Sequence, residues 1–288
     1  MPPTDAPPLE IASLPLPSTT LRVGMAGDGE LAVIVPATIS LVEDWEAMTR
    51  FVGRRFQAVF FELPGHGESR PYVGPFSSGL VAQTVLEVAD AFGAETFTLV
   101  GFSFGGLLAL RTLQRAQHRV RRVALLSPFV GSDGLKRSGA ETAMLRATVA
   151  ALEPEFARLG MLAVLRNPAT VAVVDWYMRS VGGFETSADL SARLRGFTAS
   201  TLDVFLAQVR EVLTTSVEDL AGPFEAPCLF GMSRNDPLLD FETSRRFVHA
   251  QFARVEEVVW DWPYHAPPKP LALADYDRDH RALLEFDL

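Results

Sequence analysis

The residue best placed for chemistry is Ser103, in the run Gly101-Phe102-Ser103-Phe104-Gly105, with Gly106 following. A G-x-S-x-G run between a strand and a helix forms a nucleophile elbow, a turn sharp enough to hold the serine in a strained conformation with its Oγ raised out of the sheet. Glycines at 101 and 105 let neighbouring chain approach without a Cβ clash. A serine at a helix N-terminus also lies beside free N–H groups that favour developing negative charge. A serine hydroxyl is a weak nucleophile near neutral pH and needs a base. The chain has five histidines, at 66, 118, 249, 265 and 280. His118, beside Arg119, Arg121 and Arg122, reads as a solvated corner, and His249, beside Arg245 and Arg246, as an exposed helix position. His280 lies in the charged run Asp275–Arg281. His66 and His265 differ, since each lies in a loop following an apolar run. A base in turn needs a carboxylate to fix its tautomer and stabilise the imidazolium.

The elements that must carry these residues are legible from periodicity. Short apolar runs at Thr20–Met25 and Leu31–Val35, separated by Gly27-Asp28-Gly29, predict two strands joined by a hairpin turn. Ala58–Phe61, Thr96–Val100, Val123–Leu126, Cys228–Phe230 and Val255–Trp260 read as further strands. Helical spacing appears over Glu43–Val52, Leu80–Phe92, Gly105–His118, Phe241–Phe252 and about Leu271–Leu284. Strands alternating with helices imply a mainly parallel sheet with right-handed crossovers. The rhythm breaks between about Asp133 and Leu220, where Thr142–Ala151, Glu155–Leu165, Ala169–Ser180, Ser187–Arg195 and Thr201–Leu213 are all helical in pattern.

Composition bounds the function. The 288 residues are 48% hydrophobic and 21% charged, which excludes disorder of the whole chain. No apolar run reaches the roughly 18 residues of a spanning helix. A formal charge of -9 is the wrong sign for a phosphate-backbone binder, so no nucleic-acid partner is expected. The one cysteine, Cys228, excludes an intramolecular disulfide and a cysteine-based zinc site. Residues 1–17 hold six prolines and no readable secretory signal. They are expected to run extended along the surface or to be disordered, and the expected location is the cytoplasm.

A second motif, Leu63-Pro64-Gly65-His66-Gly67-Glu68-Ser69, follows the strand Ala58–Phe61. With it the chain resembles the α/β-hydrolase superfamily, in its capped serine-hydrolase branch of esterases and carbon–carbon bond hydrolases. Members commonly carry an acidic residue and then x-P-G-x-G-x-S after the fourth strand, and Glu62 stands where Asp is usual. The resemblance runs from about residue 20 to the end. It implies an α/β fold with a mainly parallel eight-stranded sheet, a core of residues 18–132 and 221–288, and a helical cap of residues 133–220 inserted after strand 6. His66 is then structural. His265, in Asp261-Trp262-Pro263-Tyr264-His265-Ala266-Pro267-Pro268, resembles the family's catalytic histidine loop after the last strand. Asp236, in the loop after the seventh strand, resembles the acid site, with Asp240 as the second candidate. The order Ser103, Asp236, His265 is the order this fold uses.

The oxyanion hole is expected from two backbone N–H groups. One is that of Phe104, the residue after the nucleophile. The other comes by position from Thr38, in a loop where family members usually have His-Gly and this chain has Pro36-Ala37-Thr38. Proline has no N–H to give. The insertion should form a lid, with Met144, Met161, Leu162, Trp176, Tyr177, Met178 and Phe184 divided between lid core and pocket lining. Trp176, Tyr177 and Phe184 are the pocket candidates for a small-molecule substrate with an apolar group. No metal site is readable and no cofactor is required. The expected activity is hydrolysis of a small carboxylic ester, lactone or thioester through an acyl-enzyme. Carbon–carbon bond hydrolysis of a diketone and acyl transfer use the same three residues. A non-catalytic ligand-binding module is the alternative from another class, supported by the Pro36-Ala37 departure, and cofactor-free lyase or oxygenase chemistry is a third.

Overall fold

The computed structural model describes residues 6–180, 196–265 and 271–286. Eight strands form one sheet: β1 (Glu10–Pro15), β2 (Thr20–Ala26), β3 (Leu31–Val35), β4 (Gln57–Phe61), β5 (Phe97–Phe102), β6 (Val120–Leu126), β7 (Cys228–Ser233) and β8 (Val255–Trp260). Their order is β1-β2-β4-β3-β5-β6-β7-β8. The pairs β1–β2 and β2–β4 are antiparallel, and every later pair is parallel. The core helices are α1 (Glu46–Val52), α2 (Ser78–Ala91), α3 (Phe104–Ala116), α8 (Phe241–Gln251), α9 (Leu273–Asp279) and α10 (Ala282–Glu285). Between β6 and β7 come α4 (Gly139–Ala151), α5 (Glu155–Leu165), α6 (Pro168–Ser180) and α7 (Ala199–Thr214). No helix among the described residues is long and apolar enough to cross a membrane.

Strand alternation fixes which helices lie on which face. Leu31, Val33 and Val35 of β3 join the core under α2, α3 and α8. Ala32 and Ile34 join the opposite core with α1, α9 and α10. Both faces of β3 and β4 are therefore apolar, as a parallel sheet covered by helices requires. The inserted helices have a small core of their own, with Val149, Leu152, Leu162, Val171, Phe197, Leu202 and Leu206 buried.

The structure differs from the sequence reading at the β2–β3 connection and at the last helix. Thr20–Met25 and Leu31–Val35 are strands but not a hairpin. β4 lies between them, pairing antiparallel with β2 on one side and parallel with β3 on the other, and its run Ala58–Phe61 is apolar on both faces as that interior place requires. Over residues 10–15 the proline-rich arm takes the extended surface course that is the first of its two expected states. These form β1 on the sheet edge, where Pro15 closes the strand without breaking a central ladder, and Arg50 Nε ties the preceding segment through Pro7 O at 3.0 Å. The last helix is two short ones, α9 and α10. His280 interrupts it, its ring turned among Trp260, Trp262 and Tyr276. The expected helix Ser187–Arg195 lies outside the described residues.

The loop after β4 is organised by a fully buried carboxylate. Glu62 Oε1 accepts from Arg22 Nη1 at 2.9 Å and from Val42 N at 3.2 Å, and Oε2 accepts from Glu68 N at 2.8 Å. Ser69 Oγ donates to Glu62 O and accepts from Arg22 N. One side chain thus joins β2, the segment after β3 and the turn 63–69. The neighbouring carboxylates, Glu43 first and then Glu62, hold the Arg22 guanidinium charged more firmly than usual. In the same turn His66 is buried, and neither ring nitrogen has a partner among the described residues. Burial lowers its pKa to about 4, and does the same for His280.

Two stability predictions follow from these groups. Glu62→Ala should cost about 3 kcal/mol in urea unfolding, since it leaves Val42 N and Glu68 N without their acceptor and takes from the half-buried Arg22 guanidinium its buried partner, with Glu43 still paired to it. A loss within the scatter of surface substitutions would show that Glu62 does not organise the loop. The imidazoles of His66 and His280 are held neutral in the fold and take up protons more readily in the unfolded chain. Their contribution is complete above the ordinary pKa of 6.5 and is lost as pH falls toward about 4. In His66→Gln the loss of stability between pH 7 and pH 4.5 should be about 2 kcal/mol smaller than in the wild type. An equal loss in both proteins would contradict this account of His66.

Candidate active site

Ser103 is the single residue between β5 and α3, with φ 54 and ψ -119. Such a conformation costs a non-glycine residue about 1–3 kcal/mol and persists only where its surroundings enforce it. Here the backbone groups of the strained residue are all engaged. Ser103 N donates to Leu126 O at 3.0 Å, and Ser103 O accepts from Gly106 N and Phe129 N at 2.9 Å each. The chain is also too close for side chains on either side of the serine. A Cβ on Gly101 would stand 2.4 Å from Gly105 O, and one on Gly105 would stand 2.6 Å from Val35 O. The glycines of the motif are therefore required by packing.

His265 lies in the loop after β8 and Asp236 in the loop after β7. His265 Nε2 is 2.8 Å from Ser103 Oγ, and Nδ1 is 2.7 Å from Asp236 Oδ2. The acid is fully buried and the imidazole is 6% exposed. Burial works against the Asp236 charge. The hydrogen bond from His265, the electrostatic attraction of its ring and the N–H groups of Leu239 and Leu238 outweigh it, and the carboxyl sits below its ordinary range. An ionised Asp236 accepts only, so Nδ1 carries the proton and Nε2 is left to accept from the Ser103 hydroxyl. The Phe102 ring packs on the imidazole with centroids 5.3 Å apart.

The turn around Asp236 explains the choice between the two acids. Pro237 pre-sets the following φ, and Asp236 Oδ1 accepts from Leu238 N at 2.8 Å and Leu239 N at 3.0 Å. One oxygen closes the turn and the other is free for His265. Asp240 is used differently, capping α8 by accepting from Thr243 N at 2.8 Å and Thr243 Oγ1 at 2.7 Å. Lys136, which lies in no motif of the sequence, donates from Nζ to Asp236 O at 2.8 Å. No spacing signal links positions 136 and 236; the contact exists because residues 132–136 fold back onto the acid turn, with a bridge between Leu135 and Leu239.

The remaining candidates divide clearly. His118 and His249 are exposed, and His249 meets Glu257. Phe104 is the first residue of α3, where a helical N–H has no intrahelical acceptor. Thr38 is exposed in a turn with Ile39, whose φ is 51. The start of that loop rests on the serine turn, as the closeness of Val35 O and Pro36 O to Gly105 shows. Ile39 packs against the core of the inserted helices. Trp176 on α6 is 63% exposed, so it is not part of a closed apolar core. The side chain of Tyr177 and all of Phe184 lie outside the described residues.

Comparison with known proteins agrees with the fold. Residues 32–172 match the model of the alpha/beta hydrolase fold family. The chain is 23% identical over 224 residues to the "Putative carbamate hydrolase RutD" of Azorhizobium caulinodans, covering 77% of this chain and 79% of that protein. Among solved structures it is similar to a bacterial membrane phospholipase A, described as a virulence factor, with TM-score 0.70 and 20% identity over 96% of this chain and 86% of the other. It is likewise similar to a thermophilic esterase from Thermogutta terrifontis, with TM-score 0.68 and 16% identity over 96% and 97% of the two chains. With a sheet of this order and a serine on the β5–α3 turn, the chain has the α/β-hydrolase fold.

Proposed function

We propose that this protein is a serine hydrolase of carboxylic ester-type bonds, with Ser103 as nucleophile, His265 as base and Asp236 as its orienting acid. The observation that carries the reading is the continuous hydrogen-bond chain from Ser103 Oγ through His265 to Asp236. It is the arrangement by which a weak hydroxyl nucleophile is activated near neutral pH. The relatives named as a carbamate hydrolase and an esterase support hydrolysis at an acyl carbon as the reaction class.

The steps follow from the tautomer. Ser103 Oγ bonds to the carbonyl carbon while its proton passes to His265 Nε2. The negative charge goes to the carbonyl oxygen, held by the N–H groups of Phe104 and Thr38. The imidazolium is stabilised by Asp236, which stays ionised throughout. When the tetrahedral intermediate collapses, the bond to the leaving alkoxide or thiolate breaks and that group takes the proton from Nε2. Water then attacks the acyl carbon as His265 takes its proton. The bond to Oγ breaks, Oγ recovers the proton and the acid departs. The helices between β6 and β7 act as the cap, and their inner surface sets which acyl and leaving groups fit.

The test is hydrolysis of a panel of small p-nitrophenyl esters, lactones and thioesters by wild type, Ser103→Ala and His265→Ala. Ser103→Ala should lower kcat on the best substrate by about six orders of magnitude with an unchanged melting temperature. Turnover near the wild-type rate in folded Ser103→Ala would sink the proposal. So would tight binding of panel members with no turnover by the wild type, the behaviour of a binding module.

A further inference from the structure

The backbone ladder between β7 and β8 stops just short of the site. Its last register pair is Ser233 with Trp260, and its last backbone hydrogen bond runs from Arg234 N to Trp260 O at 2.9 Å. Asp236 and His265 lie beyond that point, on loops that share no backbone hydrogen bond among the described residues. Two side chains continue the pairing. Ser233 Oγ donates to Trp262 O at 2.7 Å, and Asn235 Nδ2 donates to Asp261 O at 3.2 Å. The two rungs are coupled, because Ser233 Oγ also accepts from Asn235 N at 3.2 Å.

The placement of the inner rung is symmetrical about the site. Ser233 precedes the acid by three residues, and Trp262 precedes the base by three. Ser233 is 1% exposed, so its bond is shielded from competing water. The Trp262 ring is itself fixed. It stacks on Trp260 with centroids 4.3 Å apart and an interplanar angle of 5°, and it stacks on Tyr264 at 5.7 Å on the way to His265. The aromatic residues at 260, 262 and 264 therefore hold the base loop extended, and the hydroxyl of Ser233 joins that loop to the acid turn.

We infer that Ser233 is a positioning residue for the acid–base pair, its hydroxyl locking the loop of His265 to the turn of Asp236 through the Trp262 carbonyl, with Asn235 as the outer rung. The inference rests on the serine-hydrolase reading above. Without the inner rung, the links left between the two loops among the described residues are the exposed outer rung and the bond between Asp236 and His265. These then have to hold the imidazole in line with Ser103 Oγ. The cost falls on the chemical step, not on substrate binding, since neither Ser233 nor Asn235 reaches the nucleophile.

The experiment is steady-state hydrolysis of p-nitrophenyl acetate by wild type, Ser103→Ala, Ser233→Ala, Ser233→Thr and Asn235→Ala, with melting temperatures for each. Ser233→Ala should lose about tenfold or more in kcat with KM within about twofold, the signature of misplaced catalytic groups. Ser233→Thr keeps the hydroxyl and should recover most of the rate. Asn235→Ala, at an exposed position that tolerates truncation, should lose about threefold in kcat with KM unchanged, and keeps the test open if Ser233→Ala does not fold. Cleavage that depends on Ser103, with kcat unchanged in folded Ser233→Ala or in Asn235→Ala, overturns this inference alone. Wild-type protein without Ser103-dependent cleavage overturns the serine-hydrolase reading and this inference together.

Discussion

The chain reverses at Ser103 in a space that has no room for a Cβ on Gly101 or Gly105, and the rest of the site is arranged around that crowding. The strand β5 must arrive, turn within one residue and leave as α3 while the end of β3 lies against the turn. Any side chain at those glycines would push Val35 or the helix away. Ser103 would then relax to an ordinary conformation, with its hydroxyl lowered toward the sheet. The strain at φ 54 is maintained by three backbone hydrogen bonds and by the packing of α3 on the sheet. A turn held this tightly needs the large apolar interior that a 288-residue chain can build.

Around that fixed point the sheet order does the positioning. β5 lies in the interior of the sheet, with β6, β7 and β8 following in parallel on one side. Parallel strands deliver their loops to the same edge, so the acid and the base reach the serine from neighbouring strand ends. Electrostatics then divides the work between the two oxygens of Asp236. One is taken up by the N–H groups of the Asp236–Leu239 turn and the other by the imidazole, which keeps the acid ionised despite full burial. The order of hydrogen-bonding capacity, from acceptor-only carboxylate to donor-and-acceptor imidazole to hydroxyl, sets the direction in which the proton moves.

What the sequence reveals and what it conceals divide along physical lines. Ser103 is legible because the constraint on it is local: two glycines, a preceding apolar run and a following helix are all within a few residues. The arrangement of Asp236 and His265 is legible through the loops that bear them and their order along the chain. The hairpin expected of β2 and β3 fails because turn chemistry at Gly27-Asp28-Gly29 cannot reveal that a third strand, β4, enters between them. The strand at Glu10–Pro15 is obscured by prolines that suit a sheet edge as well as a free arm. Lys136 and Ser233 are invisible for the opposite reason to Ser103. Their partners lie 100 and 29 residues away and are backbone carbonyls, which leave no trace in residue type.

The central claim is that one serine is activated by one histidine, and covalent labelling tests it independently of the natural substrate. A fluorophosphonate forms a bond from phosphorus to a serine Oγ as fluoride leaves, with the hydroxyl proton passing to the base. Intact-mass measurement should find a single adduct on the wild type, mapped to Ser103, and none on Ser103→Ala or His265→Ala over the same interval. Labelling of Ser103→Ala as readily as of the wild type, or a folded wild type that takes no adduct, would contradict the account.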